Sequence, residues 1–274
     1  MTHVSRRVTN MVVLLLALIW VLPFWFVVVN AIKSTKDFFT GEFWKLPTEI
    51  GFIENFAYVW EEAGIGSGFI NSLIYGSVGS FFAIFIAALA AFSLTTLEVR
   101  GRLFWFLIIY SGTVFPFQMY LIPLFKMYSG FQMYDTNWGL TIFYTAVSIP
   151  FCLFVLRNFF TTIPKEIVEA ARLDGSTDFR IFLQIFLPMS RAPIAVLFLF
   201  QFTWIWNDLL FGLTLSKSES VRPIMSGVAS LQGMYAGSNI PAILVAVLIA
   251  SVPTLLLFSF LQKNFMQGMS LVGK

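Results

Sequence analysis

Apolar residues run through this chain in long blocks, neither alternating with polar ones nor confined to a narrow stripe. A helix rising about 1.5 Å per residue needs roughly 20 apolar residues to cross a 30 Å hydrocarbon layer. Six blocks meet that need, at about residues 11–32, 69–97, 103–125, 139–160, 193–215 and 242–261. Each is apolar nearly all round, which predicts membrane-spanning helices and not barrel strands. Pro116 and Pro123 interrupt the third block, Pro150 the fourth and Pro253 the sixth. The expected fold is all-α and integral to a membrane, one domain of six transmembrane helices.

Composition agrees. Of 274 residues, 58% are hydrophobic and 11% charged, and mean hydropathy is +0.83. A soluble domain carries about 25% charged residues, so a water-facing bundle and a disordered chain are both excluded. The single cysteine, Cys152, forms no intrachain disulfide, and the single histidine, His3, stands in a polar N-terminal stretch. No histidine-based metal site or triad can be assembled. Arg6 and Arg7 precede the first block, but its apolar run is too long for a cleaved signal peptide and no A-x-A site follows. It reads as a retained anchor.

The net charge of +3 divides across the bilayer. One side collects the N-terminus, the 98–102 turn, the 157–191 stretch and the C-terminus, with eleven Lys/Arg against five acids. The other side holds six basic residues and eight acids, and Asp208 lies within the fifth block. Both termini are therefore expected in the cytoplasm. Scattered single cations give no nucleic-acid footprint. Trp44, Tyr58 and Trp60, in the outer 33–68 loop, are expected in the interfacial belt.

The longest cytoplasmic polar segment, about 163–188, has helix–turn–helix grammar. Pro164 suits a first helical turn and Glu166 the positive helix end. Ile163, Ile167, Ala170 and Ala171 share one apolar face by spacing. Gly175 fits a left-handed helix stop, and Ser176, Thr177 and Asp178 offer caps for a second helix that runs to Pro188. Two readings follow: an amphipathic loop resting on lipid headgroups, or a docking knob whose small residues let a partner approach closely.

The run Glu169-Ala170-Ala171, three residues, Gly175, nine residues, Ile185, one residue, Leu187-Pro188 resembles the EAA loop of binding-protein-dependent ABC importer permeases. Asn71-Ser72, Gly101, Arg157 before Ile163-Pro164, Asp174-Gly175 and Trp206-Asn207 are similar to the carbohydrate branch, in particular to the smaller permease of maltose-type systems. The likeness covers about residues 11–272, and Gly268-Met269-Ser270 resembles the start of that family's tail. By resemblance, Glu169, Ala170, Ala171, Asp174, Gly175, Leu187 and Pro188 form a cytoplasmic coupling helix–turn–helix between the fourth and fifth spans. It would insert into a groove on a cytoplasmic ATPase. The partners implied are two ATP-binding cassette ATPase subunits, a second related permease and an extracytoplasmic sugar-binding protein. The setting is a bacterial or archaeal cytoplasmic membrane and its lipid, with no nucleic acid. ATP and Mg would be bound by the partner ATPase, and this chain would carry no cofactor, no metal and no catalytic residue.

Other features are weighed against this reading. Gly268 to Lys274 spells G-x-x-x-x-G-K, but an apolar helix precedes it where a phosphate loop needs a strand. Trp204, Trp206, Asn207 and Asp208 are candidates for the substrate path, because aromatic faces and amides suit sugar rings; the other reading of Asp208 is a packing contact or helix cap. Thr113, Gln118, Ser148 and Ser251 are expected to bond between helices. Rival functions are a permease for a sugar phosphate or polyol, a stand-alone secondary transporter and a membrane-embedded enzyme. The last two lack inverted repeats and clustered ionisable groups, respectively.

Overall fold

A computed structural model describes residues 3–234 and 239–272, with side chains for 8–233 and 239–260. Every regular element among these is helical, and a lone bridge pairs Lys33 with Ile50. In chain order the α-helices are α1 His3–Ile32, α2 Thr35–Thr40, α3 Phe52–Ala57, α4 Ile65–Thr96, α5 Arg102–Ser111, α6 Leu121–Gly130 and α7 Asn137–Phe160. There follow α8 Lys165–Leu173, α9 Asp178–Ile181, α10 Leu187–Met189, α11 Arg191–Trp206, α12 Leu210–Leu215, α13 Ile224–Met234 and α14 Ile240–Val272. The Gly268–Lys274 fragment, the tail and the charges of Arg6, Arg7, Lys263 and Lys274 fall outside the described side chains.

Among the described residues four helices are long and apolar enough to cross a membrane: Val8–Ile32, α4, α7 and Ile240–Phe260. Asp178–Met189 with Arg191–Trp206 makes a fifth if that pair, bent by 75°, counts as one span. Pro150 and Pro253 sit inside continuous helices.

Two expected spans are not single helices. The 103–125 block breaks after Ser111, where Gly112, Thr113 and Val114 wind more tightly onto carbonyls three residues back. Pro116 then ends any continuation, since it lacks an N–H and forces Phe115 from helical geometry. The 193–215 block stops at Trp206 and restarts at Leu210. Asn207 and Asp208 turn their side chains onto nearby backbone, the competition that makes such residues helix enders.

The chain gathers into two compact units, one within Met1–Ser67 and Gly227–Val252, the other within Gly68–Ser226 and Pro253–Lys274. In the first, α1 exposes its apolar side chains from Val8 to Trp25, a surface suited to lipid. The loop after it is tied by polar side chains. Ser34 caps α2 by accepting from the Asp37 amide at 3.1 Å. The Asp37 carboxylate accepts from the Thr48 hydroxyl at 2.5 Å and its amide at 2.9 Å; these bonds, the hydroxyl first, hold its pKa below the usual range. The fully buried Lys33 ammonium donates to the Glu42 carbonyl at 2.9 Å. Trp44 remains exposed, edge-on to Phe26, and Trp60 stacks on Phe56 at 5.7 Å.

The second unit packs α4, α7 and α11 around small residues. Ala83, Ala87, Ala88 and Ala91 are fully buried along α4 and let neighbouring backbones approach. Ile84, Phe92, Cys152, Leu153, Leu156, Phe182, Phe186 and Leu197 complete that core.

Candidate functional site

The polar segment after α7 folds as a stiff turn. Pro164 stands just before α8 in extended geometry, so the helix begins at Lys165, one position later than the first-turn placement expected. Glu166 lies in its first turn. Gly175 adopts φ +79°, the left-handed conformation that only glycine takes without strain. The Gly175 amide donates to the Arg172 carbonyl at 3.0 Å and Ser176 to Ala171 at 2.9 Å. That bond pair is the Schellman stop. Thr177 caps α9 by accepting from the Arg180 amide, and Arg172 reaches across the turn to Asp178 at 2.9 Å.

Aromatic packing fixes this turn to the core. Phe182 and Phe186, buried after α9, meet Phe92 of α4 at 5.5 and 4.8 Å. Phe186 also meets Phe160 of α7 at 5.0 Å, edge to face. Each such pair adds about 0.5–1.5 kcal/mol beyond area burial. Leu187 and Pro188 form the short α10, Ser190 closes onto the Phe186 carbonyl, and the 75° bend into α11 follows.

The face that α8 buries differs from the one expected. Val168 and Ile163 are buried and Ala171 half-buried, whereas Ile167 and Ala170 are exposed beside Glu169. Leu173 is 89% exposed and Phe179 60% exposed, flanking Gly175 and Asp174. An apolar tip of this kind marks an interaction surface. Spacing missed it because a nine-residue helix is too short for periodicity to choose between adjacent faces.

A concavity of about 310 Å³ lies between α7, α11 and the broken third block. Thr113, Phe117, Ser148, Phe151, Gln201 and Trp204 are among its walls. The Ser148 hydroxyl is buried without a hydrogen-bond partner. Thr113 bonds back to the Tyr110 carbonyl at the end of α5 and Ser251 to the Val247 carbonyl of its own helix, neither between helices.

Of the four path candidates, the fold brings Trp204 alone to this cavity. Trp206 is fully buried, stacked on Phe202 at 5.7 Å and edge-on to Phe69. Asn207 is exposed and donates to the Thr203 carbonyl at 2.8 Å. Asp208 is buried and accepts from the Tyr144 hydroxyl at 2.9 Å and the Gly212 amide at 3.0 Å. It thereby caps α12 and joins it to α7. Among the described residues no group of three His, Cys, Asp or Glu could hold a metal.

A helical protein of the membrane, with a stiff polar turn welded to its core, is the class these features define. The family model of the "Binding-protein-dependent transport system inner membrane component" matches residues 79–271, and the chain belongs to that family. The "Diacetylchitobiose uptake system permease protein NgcG" of Streptomyces coelicolor (strain ATCC BAA-471 / A3(2) / M145) is 30% identical over 268 residues, 96% of this chain and 87% of that one. The "Melibiose/raffinose/stachyose import permease protein MelC" of Bacillus subtilis (strain 168) is 30% identical over 267 residues, 97% of this chain and 95% of that one. The crystal structure of a bacterial ABC transporter involved in the import of the acidic polysaccharide alginate has the same fold. Its TM-score is 0.80 at 22% identity, covering 97% of this chain and 99% of that one. These relatives are transport permeases, not enzymes.

Proposed function

We propose that this chain is the permease subunit of an ATP-driven carbohydrate importer, forming half of a translocation path with a second, related permease. Its two units work as one permease domain with six crossings. The broken α5–α6 segment supplies the third, α11 with α12 the fifth, and both termini face the cytoplasm. Glu169, Ala170, Ala171, Asp174, Gly175, Leu187 and Pro188 form the surface that meets a partner ATPase, which binds ATP and Mg and carries out hydrolysis. The observation that carries this reading is the Schellman-stopped α8, bridged to α9 and anchored by Phe182 and Phe186. A turn held this rigidly can transmit a pull from the ATPase to α4, α7 and α11.

Carbohydrate is the substrate class suggested by the names of the relatives and by the aromatic walls of the 310 Å³ cavity, where Trp204 and Phe117 offer flat faces and Gln201 an amide. An extracytoplasmic binding protein delivers it. The test is affinity purification of the chain from its native membrane, followed by binding-protein-stimulated ATP hydrolysis in liposomes. A second permease and an ATPase should co-purify. Glu169→Lys should insert normally yet lose the ATPase and the stimulation. Full uptake by that variant would overturn the coupling assignment.

A further inference from the structure

Beneath the coupling turn lies a larger cavity of about 770 Å³, apart from the aromatic one. The turn after α4, the end of α7 and one side of α8 enclose it. Five cations line it: Arg100, Arg102, Arg157, Lys165 and Arg172. Two acids, Glu98 and Glu169, face the same space. Asp178 already pairs with Arg172. Neither Glu98 nor Glu169 forms an ion pair with the other four cations. Arg157 is the least exposed of these. Its guanidinium lies 4.7 Å over the Phe106 ring; stacking uses the flat face and leaves the edge donors, the geometry with which arginine binds phosphate.

Depth and continuity identify the occupant. Arg157 is in the last turn of α7, a membrane-length apolar helix, and therefore sits where headgroups begin. Beyond Arg102, α5 exposes Leu103, Phe104, Trp105 and Leu107 nearly all round its axis. A cationic pocket adjoining an exposed apolar helix matches an anionic headgroup with its acyl chains. We propose that this cavity binds the phosphate headgroup of an anionic phospholipid, with the acyl chains along α5. The lipid would bridge the 98–102 turn to α8. The site does not depend on the coupling assignment, so its failure would leave that reading standing.

The purified complex, reconstituted in vesicles of equal phosphatidylglycerol and phosphatidylcholine and released for native mass spectrometry, provides the test. Wild-type protein should retain phosphatidylglycerol in preference. The pair Arg102→Gln and Arg157→Gln should cut that retention roughly tenfold or more, and Arg157→Lys should restore part of it. Lys217→Gln, an exposed cation outside the cavity, should change nothing. If the double variant fails to fold, the exposed Arg100→Gln supplies the same comparison. Equal retention of both lipids, or unchanged retention in the variants, overturns the proposal. So does displacement of the lipid by inorganic phosphate alone, which would mark a free-anion site. Loss of the ATPase from the double variant with lipid retention intact also overturns it, since a protein carboxylate would then fill the cavity.

Discussion

Asp208 separates a structural from a transport role in one experiment. Replacing it with alanine removes the acceptor for the Tyr144 hydroxyl at 2.9 Å and the Gly212 amide at 3.0 Å, and the weaker acceptor for Phe211 at 3.5 Å. Tyr144 is fully buried, so water cannot replace the lost partner. Each buried donor left unmade costs about 1–3 kcal/mol, so two give roughly 2–6 kcal/mol. At about 2–4 °C per kcal/mol for a chain of this size, the unfolding temperature should fall by on the order of 10 °C. Cys152 provides the readout. It is buried and is the chain's only cysteine, so a thiol-reactive fluorophore labels it as the protein opens. Tyr144→Phe removes one donor and leaves the carboxylate its two amides, and should cost about 1 kcal/mol. In the Tyr144→Phe background, Asp208→Ala should cost less than in wild type, because one orphan donor is gone. An Asp208→Ala protein that melts with wild type would refute the cap. An Asp208→Asn protein that melts and assembles normally but cannot transport would place the carboxylate in the path.

Three further outcomes are expected. Gly175→Val should leave folding nearly intact, because a Cβ there meets nothing within 4 Å, but its φ of +79° costs an L-residue about 1–2 kcal/mol. Binding-protein-stimulated ATP hydrolysis should drop severalfold, and Gly175→Asn, which tolerates that conformation, should retain more. Trp204→Ala should weaken sugar-dependent stimulation while leaving basal hydrolysis unchanged; equal loss of both would remove Trp204 from the path. Burial raises the pKa of Asp135, but the Ser218 hydroxyl and the Lys217 and Ser218 amides outweigh it and hold the group below the usual range. Its stabilisation is therefore complete above about pH 4 and is lost as pH falls through the lower folded value. Tryptophan-monitored melts of wild type and Asp135→Asn should differ at pH 7 and converge as the pH falls through the folded value, below the usual carboxylate range.

Some of this was legible in single residues. Long apolar runs place α1, α4, α7 and α14 because a bilayer demands roughly 20 apolar residues whatever packs around them. Gly175 announces the turn because only glycine enters its backbone conformation freely, and the Thr177 cap is an equally local bond. These features depend on neighbours within a few positions, so the chain itself states them. The breaks in the third and fifth blocks were half-visible: Pro116 and Asn207-Asp208 stood in apolar runs, but apolar length outvoted them.

What the tertiary structure alone decided was facing. A helix that is apolar all round carries no moment to say which side meets protein, so nothing local separates Trp204 at the cavity from Trp206 in the core. Val168 turning inward while Leu173 points out depends on Ile181, Phe182 and Phe186 arriving from beyond the turn. Asp208 ties α12 to α7 only when Tyr144, 64 positions earlier, delivers its hydroxyl. The cations of the 770 Å³ cavity come from three separate segments. Backbone geometry and solvent preference are written residue by residue, whereas partnership across a core needs the whole chain packed.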